Sequence, residues 1–149
     1  MKTGDLAPDF EATLDSGEKV SLSQYKGRKV VLYFYPRDNT SGCTREACDF
    51  RDHISDIQAR GSVVLGVSPD SVKSHQRFKE KFDLPFSLVS DETREVAQAY
   101  GVWRGKKLYG KTSMGIVRST FIIDEEGRIA RVYDKVKVAG HVDDVLESL

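Results

Sequence analysis

One stretch constrains this chain more than any other: residues 29–57, which read KVVLYFYPRDNTSGCTREACDFRDHISDI. Val30, Val31, Leu32, Tyr33, Phe34 and Tyr35 form an unbroken apolar run that stops at Pro36. A run without alternation is buried on both faces, as a central parallel strand is. A polar loop, residues 37–42, follows. Then a helical pattern begins, and it carries the only two cysteines of the chain, Cys43 and Cys48. A strand that delivers a cysteine to the first turn of a helix suits thiol chemistry, because the unpaired amides and the macrodipole there favour an anion.

The rest of the chain reads as scaffold around that stretch. Residues 10–14 and 19–22 suggest two short strands around the turn Asp15-Ser16-Gly17. The helix after the loop should run from about 41 to 60 and end at Gly61 in a C′ position. Its apolar positions Cys43, Ala47, Phe50, Ile54 and Ile57 step by 4, 3, 4 and 3, a core-facing stripe. Residues 62–67 read as a second buried strand. Residues 70–82 read as a helix with Val72, Phe78 and Phe82 inward, broken by Pro85. Residues 86–89 read as a third strand, and Ser90 or Asp91 should cap a helix through Tyr100, stopped by Gly101. Residues 103–115, rich in Gly and Lys and without periodicity, read as a loop. Residues 116–123 and 129–136 read as strands of a hairpin, and residues 140–149 as a terminal helix with Val142, Val145, Leu146 and Leu149 on one face.

The order ββ, βαβαβα, β-hairpin, α implies an α/β chain, with parallel strands flanked by helices and an antiparallel pair added at the end. A thioredoxin-like fold, a central mixed β-sheet flanked by helices, fits this order. A flavodoxin-like sheet competes, but its phosphate-binding loop should be richer in Ser, Thr and Gly. At 149 residues the chain suits a single domain, 1–149, with no linker or repeat. Zero formal net charge points to neither nucleic acid nor an anionic membrane as partner. The start MKTGDLAPDF has no apolar core of a signal peptide, and no run approaches the ~18 apolar residues of a membrane span. The expected location is the cytoplasm, and the two cysteines there point to catalysis, redox chemistry or metal binding rather than a disulfide framework.

Elementary geometry separates the cysteines. Five residues along an ideal helix turn the chain by about 140° and raise it by about 7.5 Å, so the Cα atoms should lie roughly 8.7 Å apart. That exceeds the ~7 Å limit for a disulfide. Either the two never pair, or the first turns unwind when they do. Cys43 lies on the core stripe, whereas the helical neighbours of Cys48 (Arg51, Asp52 and Ser55) are polar. That division suits a protected nucleophile and a reachable second thiol, or an incidental exposed cysteine. Cys43, Cys48 and His53 point to three sides of the helix and make no metal site. A Cys-x-x-Cys reductase motif is absent. Ionisation alone would not make a fast enzyme. An ordinary thiol is roughly 3% ionised at pH 7, so full ionisation gains about thirty-fold at most, and donors that stabilise developing charge must supply more.

At these residues the sequence resembles the peroxiredoxins, most closely the Q type, also called bacterioferritin comigratory protein. The family motif Pro-x-x-x-Thr-x-x-Cys stands here as Pro36-Arg37-Asp38-Asn39-Thr40-Ser41-Gly42-Cys43, and the Q-type extension as Cys43-Thr44-Arg45-Glu46-Ala47-Cys48. Ala7-Pro8-Asp9-Phe10 looks like the family's N-terminal signature. Tyr109-Gly110-Lys111 and Gly115-Ile116-Val117-Arg118-Ser119-Thr120-Phe121 look like its later one. The resemblance implies a thiol-dependent peroxidase acting on hydrogen peroxide or organic hydroperoxides. Cys43 would be the peroxidatic cysteine, oxidised to a sulfenic acid. Thr40 would hydrogen-bond the peroxide, or cap the helix, or both. Pro36 would shield the sulfenate, besides ending the strand. Arg118 would hold the thiolate ionised and stabilise the leaving oxygen. Cys48 would resolve the sulfenic acid as an intramolecular disulfide. Thioredoxin, or glutaredoxin in its place, would reduce the disulfide. The chain would act as a monomer and need no cofactor or metal. One departure stands out: the Q-type loop commonly has Pro after the Thr, and here it is Ser41.

The remaining candidates have plainer readings beside functional ones. Glu46 is a first-turn carboxylate favoured by the macrodipole, or a neighbour of the pocket. His75 is a satisfied structural histidine on the inward face of its helix rather than a base. His141 is expected at the surface. Trp103 is a packing residue, or with the loop to Gly115 the rim of the site, and Lys106-Lys107 is solvated. Two rival functions remain: a binding or chaperone module with vestigial thiols, and a thiol-disulfide exchanger acting on proteins.

Overall fold

The structure, a computed structural model, describes residues 1–149, with the side chains of Lys106 and Leu108 outside the description. The apolar run forms β3 (Lys29–Phe34), an interior strand of the main sheet. Around it, in chain order, stand β1 (Glu11–Leu14), β2 (Lys19–Ser21), α1 (Ser41–Asp52), α2 (Ile54–Ala59), β4 (Ser62–Ser68), α3 (Val72–Phe82) and β5 (Ser87–Ser90). Then come α4 (Glu95–Ala99), β6 (Trp103–Leu108), β7 (Lys111–Ile116), β8 (Ser119–Ile123), β9 (Ile129–Tyr133) and α5 (His141–Glu147). The seven-stranded sheet runs β2-β1-β5-β4-β3-β8-β9. β3, β4 and β5 pair in parallel, and the remaining pairs are antiparallel.

Both faces of β3 are covered, which explains its unbroken apolar run. Val30, Leu32 and Phe34 join Phe121, Ile123, Tyr100 and Val102 on one side. Val31, Tyr33 and Tyr35 join Cys43, Ala47, Phe50 and Val145 on the other. Parallel central strands with antiparallel flanks and helices on the faces make this the thioredoxin-like fold, and not the flavodoxin-like alternative.

Four expectations need correction. The helix over 41–60 is two helices, α1 and α2, broken at His53. There the imidazole Nδ1 bonds the Asp49 carbonyl at 2.9 Å, which the His53 amide would otherwise take, and that amide turns to Phe50 instead. The helix before Gly101 is short. The Asp91 carboxylate accepts from the amides of Val96 and Ala97 and so caps it, but Arg94 adopts a left-handed φ of 63° and delays the start. Residues 103–115 are a β-hairpin rather than a loop. β6 and β7 pair through Tyr109-Gly110, both with positive φ, as a tight hairpin turn requires. Its base, Trp103 and Ile116, packs against the core, but residues 109–114 are exposed and show no apolar alternation, so the pairing leaves no periodic signal in the sequence. Lys107 is exposed, and the reading of Lys106 falls on a side chain outside the described residues. Finally, the strand over 116–123 is interrupted at Val117 and Arg118, whose backbone groups bond Val102 and Val136 rather than a continuous ladder.

Candidate active site

Register decides where the site lies. β8 pairs antiparallel with β3, Ser119 opposite Phe34, so Arg118 falls just beyond the carboxyl end of β3. The chain leaves β3 through the loop 36–40 and re-enters as α1 at that same end. Arg118, freed from strand pairing, can therefore reach the start of α1. Its Nη2 donates to Cys43 Sγ at 3.2 Å, and its Nη1 donates to Glu46 Oε1 at 2.6 Å. Gly42 leaves room for this, since a Cβ there would meet Arg118 Nη2 at 3.3 Å.

Cys43 is the third residue of α1 and only 2% exposed. The helix's first i→i−4 bond is donated by Thr44 to the Thr40 carbonyl, so the amides before it lack an intrahelical acceptor and face the thiol's end of the helix. Thr40 occupies the N-cap position with extended backbone, but its hydroxyl does not cap. It donates to the Arg37 carbonyl at 3.0 Å. Pro36 is exposed beside it at the end of β3. The structure thus brings Cys43, Arg118 and Glu46 into direct contact, with Thr40 and Pro36 in the loop that precedes the thiol.

Cys48 stands apart. It is half-buried, and both cysteines are free thiols. Burial pushes its thiol above the ordinary value, only partly opposed by Arg51.

Glu46 is the residue that sequence reasoning undervalued. It is fully buried, and Oε2 has no partner among the described residues. Burial pushes its carboxyl up to about 7, against the pull of Arg118. The signal was available: positions 43, 46, 47 and 50 lie on one helical face, and Glu46 shares it with the core stripe.

His141 corrects another expectation. It is buried rather than superficial, with Nε2 at 2.8 Å from Thr120 Oγ1, and burial lowers its pKa to about 4. His75 is as expected a satisfied internal histidine, bonded by Nδ1 to Asp38 Oδ2 at 2.7 Å and by Nε2 to the Val89 carbonyl at 2.9 Å. Asp38, Asp70 and His75 hold ligand-type atoms within 4.8 Å of one another, a spacing that a metal could use, but Tyr35, Ser68, Ser74 and the Asp38 amide already donate to these carboxylates. Trp103 packs against the core with the Arg94 guanidinium 4.8 Å from its ring centroid. An apolar cleft lined by Leu6, Leu22, Tyr25, Val30 and Ile123 shares no residue with the thiol site.

A sheltered thiol with a fixed cation against its sulfur, set at the carboxyl edge of a thioredoxin-like sheet, suits a thiol-dependent peroxidase, and similarity to known proteins leads to the same class. The AhpC/TSA family model matches residues 3–132, and the chain belongs to that family. Within it the chain is a peroxiredoxin of the Bcp, or Q, type. It is 53% identical to a putative peroxiredoxin Bcp of Coxiella burnetii, over the whole of this chain and 99% of that protein. It is 52% identical to peroxiredoxin Bcp of Bacillus subtilis, over the whole of this chain and 95% of that protein. A solved variant of Xanthomonas campestris peroxiredoxin Q superposes with a TM-score of 0.94 at 40% identity, covering 99% of this chain and 97% of that one. A second Xanthomonas campestris structure, of a bacterioferritin comigratory protein studied for alkyl peroxide reduction, has a TM-score of 0.93 at 40% identity, covering 99% and 96%. Among the described residues no helix is long and apolar enough to cross a membrane.

Proposed function

We propose that this peroxiredoxin reduces hydrogen peroxide and organic hydroperoxides at Cys43 and is recycled through Cys48. The observation that carries the reading is the Arg118 guanidinium 3.2 Å from the Cys43 sulfur, itself held by Glu46. The Cys43 thiolate attacks the terminal peroxide oxygen. An S–O bond forms and the O–O bond breaks, which leaves a sulfenic acid and an alkoxide or hydroxide that takes up a proton to leave as alcohol or water. Arg118 stabilises the thiolate before attack and then the negative charge that builds on the departing oxygen, where fixed donors act most strongly in a site shut off from water. Thr40 hydrogen-bonds the peroxide through its hydroxyl. Pro36 limits access of solvent and of a second peroxide to the sulfenate.

Cys48 then condenses with the sulfenic acid, forming the Cys43–Cys48 disulfide and releasing water. The raised pKa of Cys48 keeps it a thiol in the reduced protein, so it does not compete with Cys43 for peroxide. The spacing derived above requires the first turns of α1 to unwind for this step. A dithiol reductant, thioredoxin or glutaredoxin, returns both thiols by exchange. We read the protein as a monomer of the cytoplasm, a reducing compartment in which a thiol pair of this kind can cycle.

Intact mass before and after one equivalent of peroxide tests the chemistry. The parent should lose two hydrogens, and Cys48→Ser should gain one oxygen. Cys43→Ser should consume no peroxide, and Cys48→Ser should turn over once and then stall with thioredoxin. Normal recycling of Cys48→Ser by thioredoxin alone would remove Cys48 from the resolving role.

A further inference from the structure

The loop 36–40 carries Pro36 and Thr40, and beyond the bond of the Thr40 carbonyl to the Thr44 amide its support comes from outside α1. Asp38 sits at its centre, 7% exposed. Its Oδ1 accepts from the Tyr35 hydroxyl at 2.6 Å. Its Oδ2 accepts from the Ser74 hydroxyl at 2.8 Å and faces His75 Nδ1 at 2.7 Å. Its amide donates to Asp70 Oδ2 at 2.7 Å, and Asp70 is tied in turn by Ser68 and Ser90. These partners lie just after β3, on α3, at the ends of β4 and β5, and in the turn between β4 and α3. None belongs to the helix that must unwind.

The charge state of His75 follows from its partners. Its side chain is completely buried, and the Val89 carbonyl opposite Nε2 can only accept. Asp38 accepts from Tyr35 and Ser74 and shares a third bond with Nδ1. Burial opposes a charge on the ring, but the bonds to Asp38 and to the Val89 carbonyl outweigh it and raise its pKa, so the ring clamped between Asp38 and β5 favours the imidazolium. A buried, fully hydrogen-bonded ion pair is a rigid fixing point, since breaking it strands a charge out of water. Asn39, next to it, holds a left-handed φ of 60°, and the Thr40 hydroxyl folds back on Arg37.

We propose that His75, through Asp38, is a positioning residue for the peroxide step: it fixes the loop that presents Thr40, independently of α1, so that the loop keeps its place while α1 unwinds and refolds. This rests on the reading of Thr40 as a substrate contact given above. Displacement of such a contact by about 1 Å can cost a hundredfold in rate. The loop and the helix thus answer to separate supports, and only the helix gives way in each cycle.

The test compares two reactions of Cys43 in the Cys48→Ser background: oxidation by hydrogen peroxide, which needs the loop, and alkylation by iodoacetamide, which needs only a reachable thiolate. In His75→Gln the peroxide rate should fall about tenfold or more while alkylation stays within about two-fold. A parallel fall in both rates, or an unchanged peroxide rate, overturns the proposal. Ser74→Ala and Tyr35→Phe each remove one bond to Asp38 without stranding a charge, and they serve if His75→Gln does not fold. Each should show the same selective loss on a smaller scale, and an unchanged peroxide rate in both overturns the proposal too. Thr40→Val separates the two readings. A full peroxide rate there overturns the role of Thr40 and the anchor's purpose with it. A full rate in His75→Gln beside an impaired Thr40→Val overturns the anchor alone.

Discussion

At the scale of single residues the site is governed by one buried contact, Arg118 between Cys43 and Glu46. Glu46 has to be desolvated to hold Arg118, and the cost shows in its carboxyl, raised from 4.5 to about 7. A raised carboxyl means that the folded protein binds the proton more tightly than the unfolded chain does. The stability this contributes is full below about 4.5 and is lost as pH rises through about 7. Glu46→Gln keeps an acceptor for Arg118 and removes this titration. Its melting temperature relative to the parent should therefore improve between pH 5 and pH 8, by on the order of 2 kcal/mol in stability. Parallel melting curves for the two proteins across that range would contradict the assignment. The burial of His141 works with the opposite sign. Its pKa, lowered from 6.5 to about 4, adds stability above 6.5 that is lost as pH falls through about 4.

At the scale of elements, the proposed Cys43–Cys48 bond asks α1 to be a good helix in one state and dispensable in the other. Its inward face, Cys43, Ala47 and Phe50, is buried, and Phe50 stacks on Tyr33 with ring centroids 4.6 Å apart. Its C-terminal end is already interrupted at His53, so the cooperative unit that unwinds is short. The first helical residue is Ser41, where relatives of this type commonly carry proline. Thr40 before it has φ −94° and ψ 158°, the extended conformation that a residue preceding proline prefers. Proline at the first helical position keeps the helix and restricts the unfolded chain. Ser41→Pro should therefore stabilise the reduced protein by about 0.4–1 kcal/mol, raising its melting temperature by about 1–4 °C, with the peroxide rate unchanged. A lower melting temperature would mean that the loop geometry differs from the one described.

At the scale of the whole molecule, one of the contacts that couple the sheet to the helix layer is a stack of rings. Tyr33 lies against Phe50 of α1 on one side and over Gly66 of β4 on the other. A Cβ at Gly66 would meet Tyr33 Cζ and its hydroxyl, and Leu88 Cδ2, all at 2.9 Å. Strand β4 therefore needs glycine where its neighbours are valine and leucine. Gly66→Ala should destabilise by about 1–3 kcal/mol through overpacking, read as a lower midpoint in urea with an unchanged slope. A neutral result would show that Tyr33 can move aside without cost.

The sequence alone was enough for β3, the stripe of α1, the βαβαβα order and the place of Cys43 at a helix start. These rest on local periodicity and on residues next to one another in the chain, which physical chemistry reads directly. It was not enough for the β6–β7 hairpin, because strands held by backbone pairing away from the core leave no apolar alternation. Nor did it foresee the break at His53, where a side chain takes over a backbone bond. Burial of His141 and the pairing of Glu46 with Arg118 depended on neighbours 21 and 72 residues away. Such partners are chosen by sheet register and helix packing. Only the tertiary structure could decide that the thiol, the guanidinium and the anchored loop meet at one edge of the sheet.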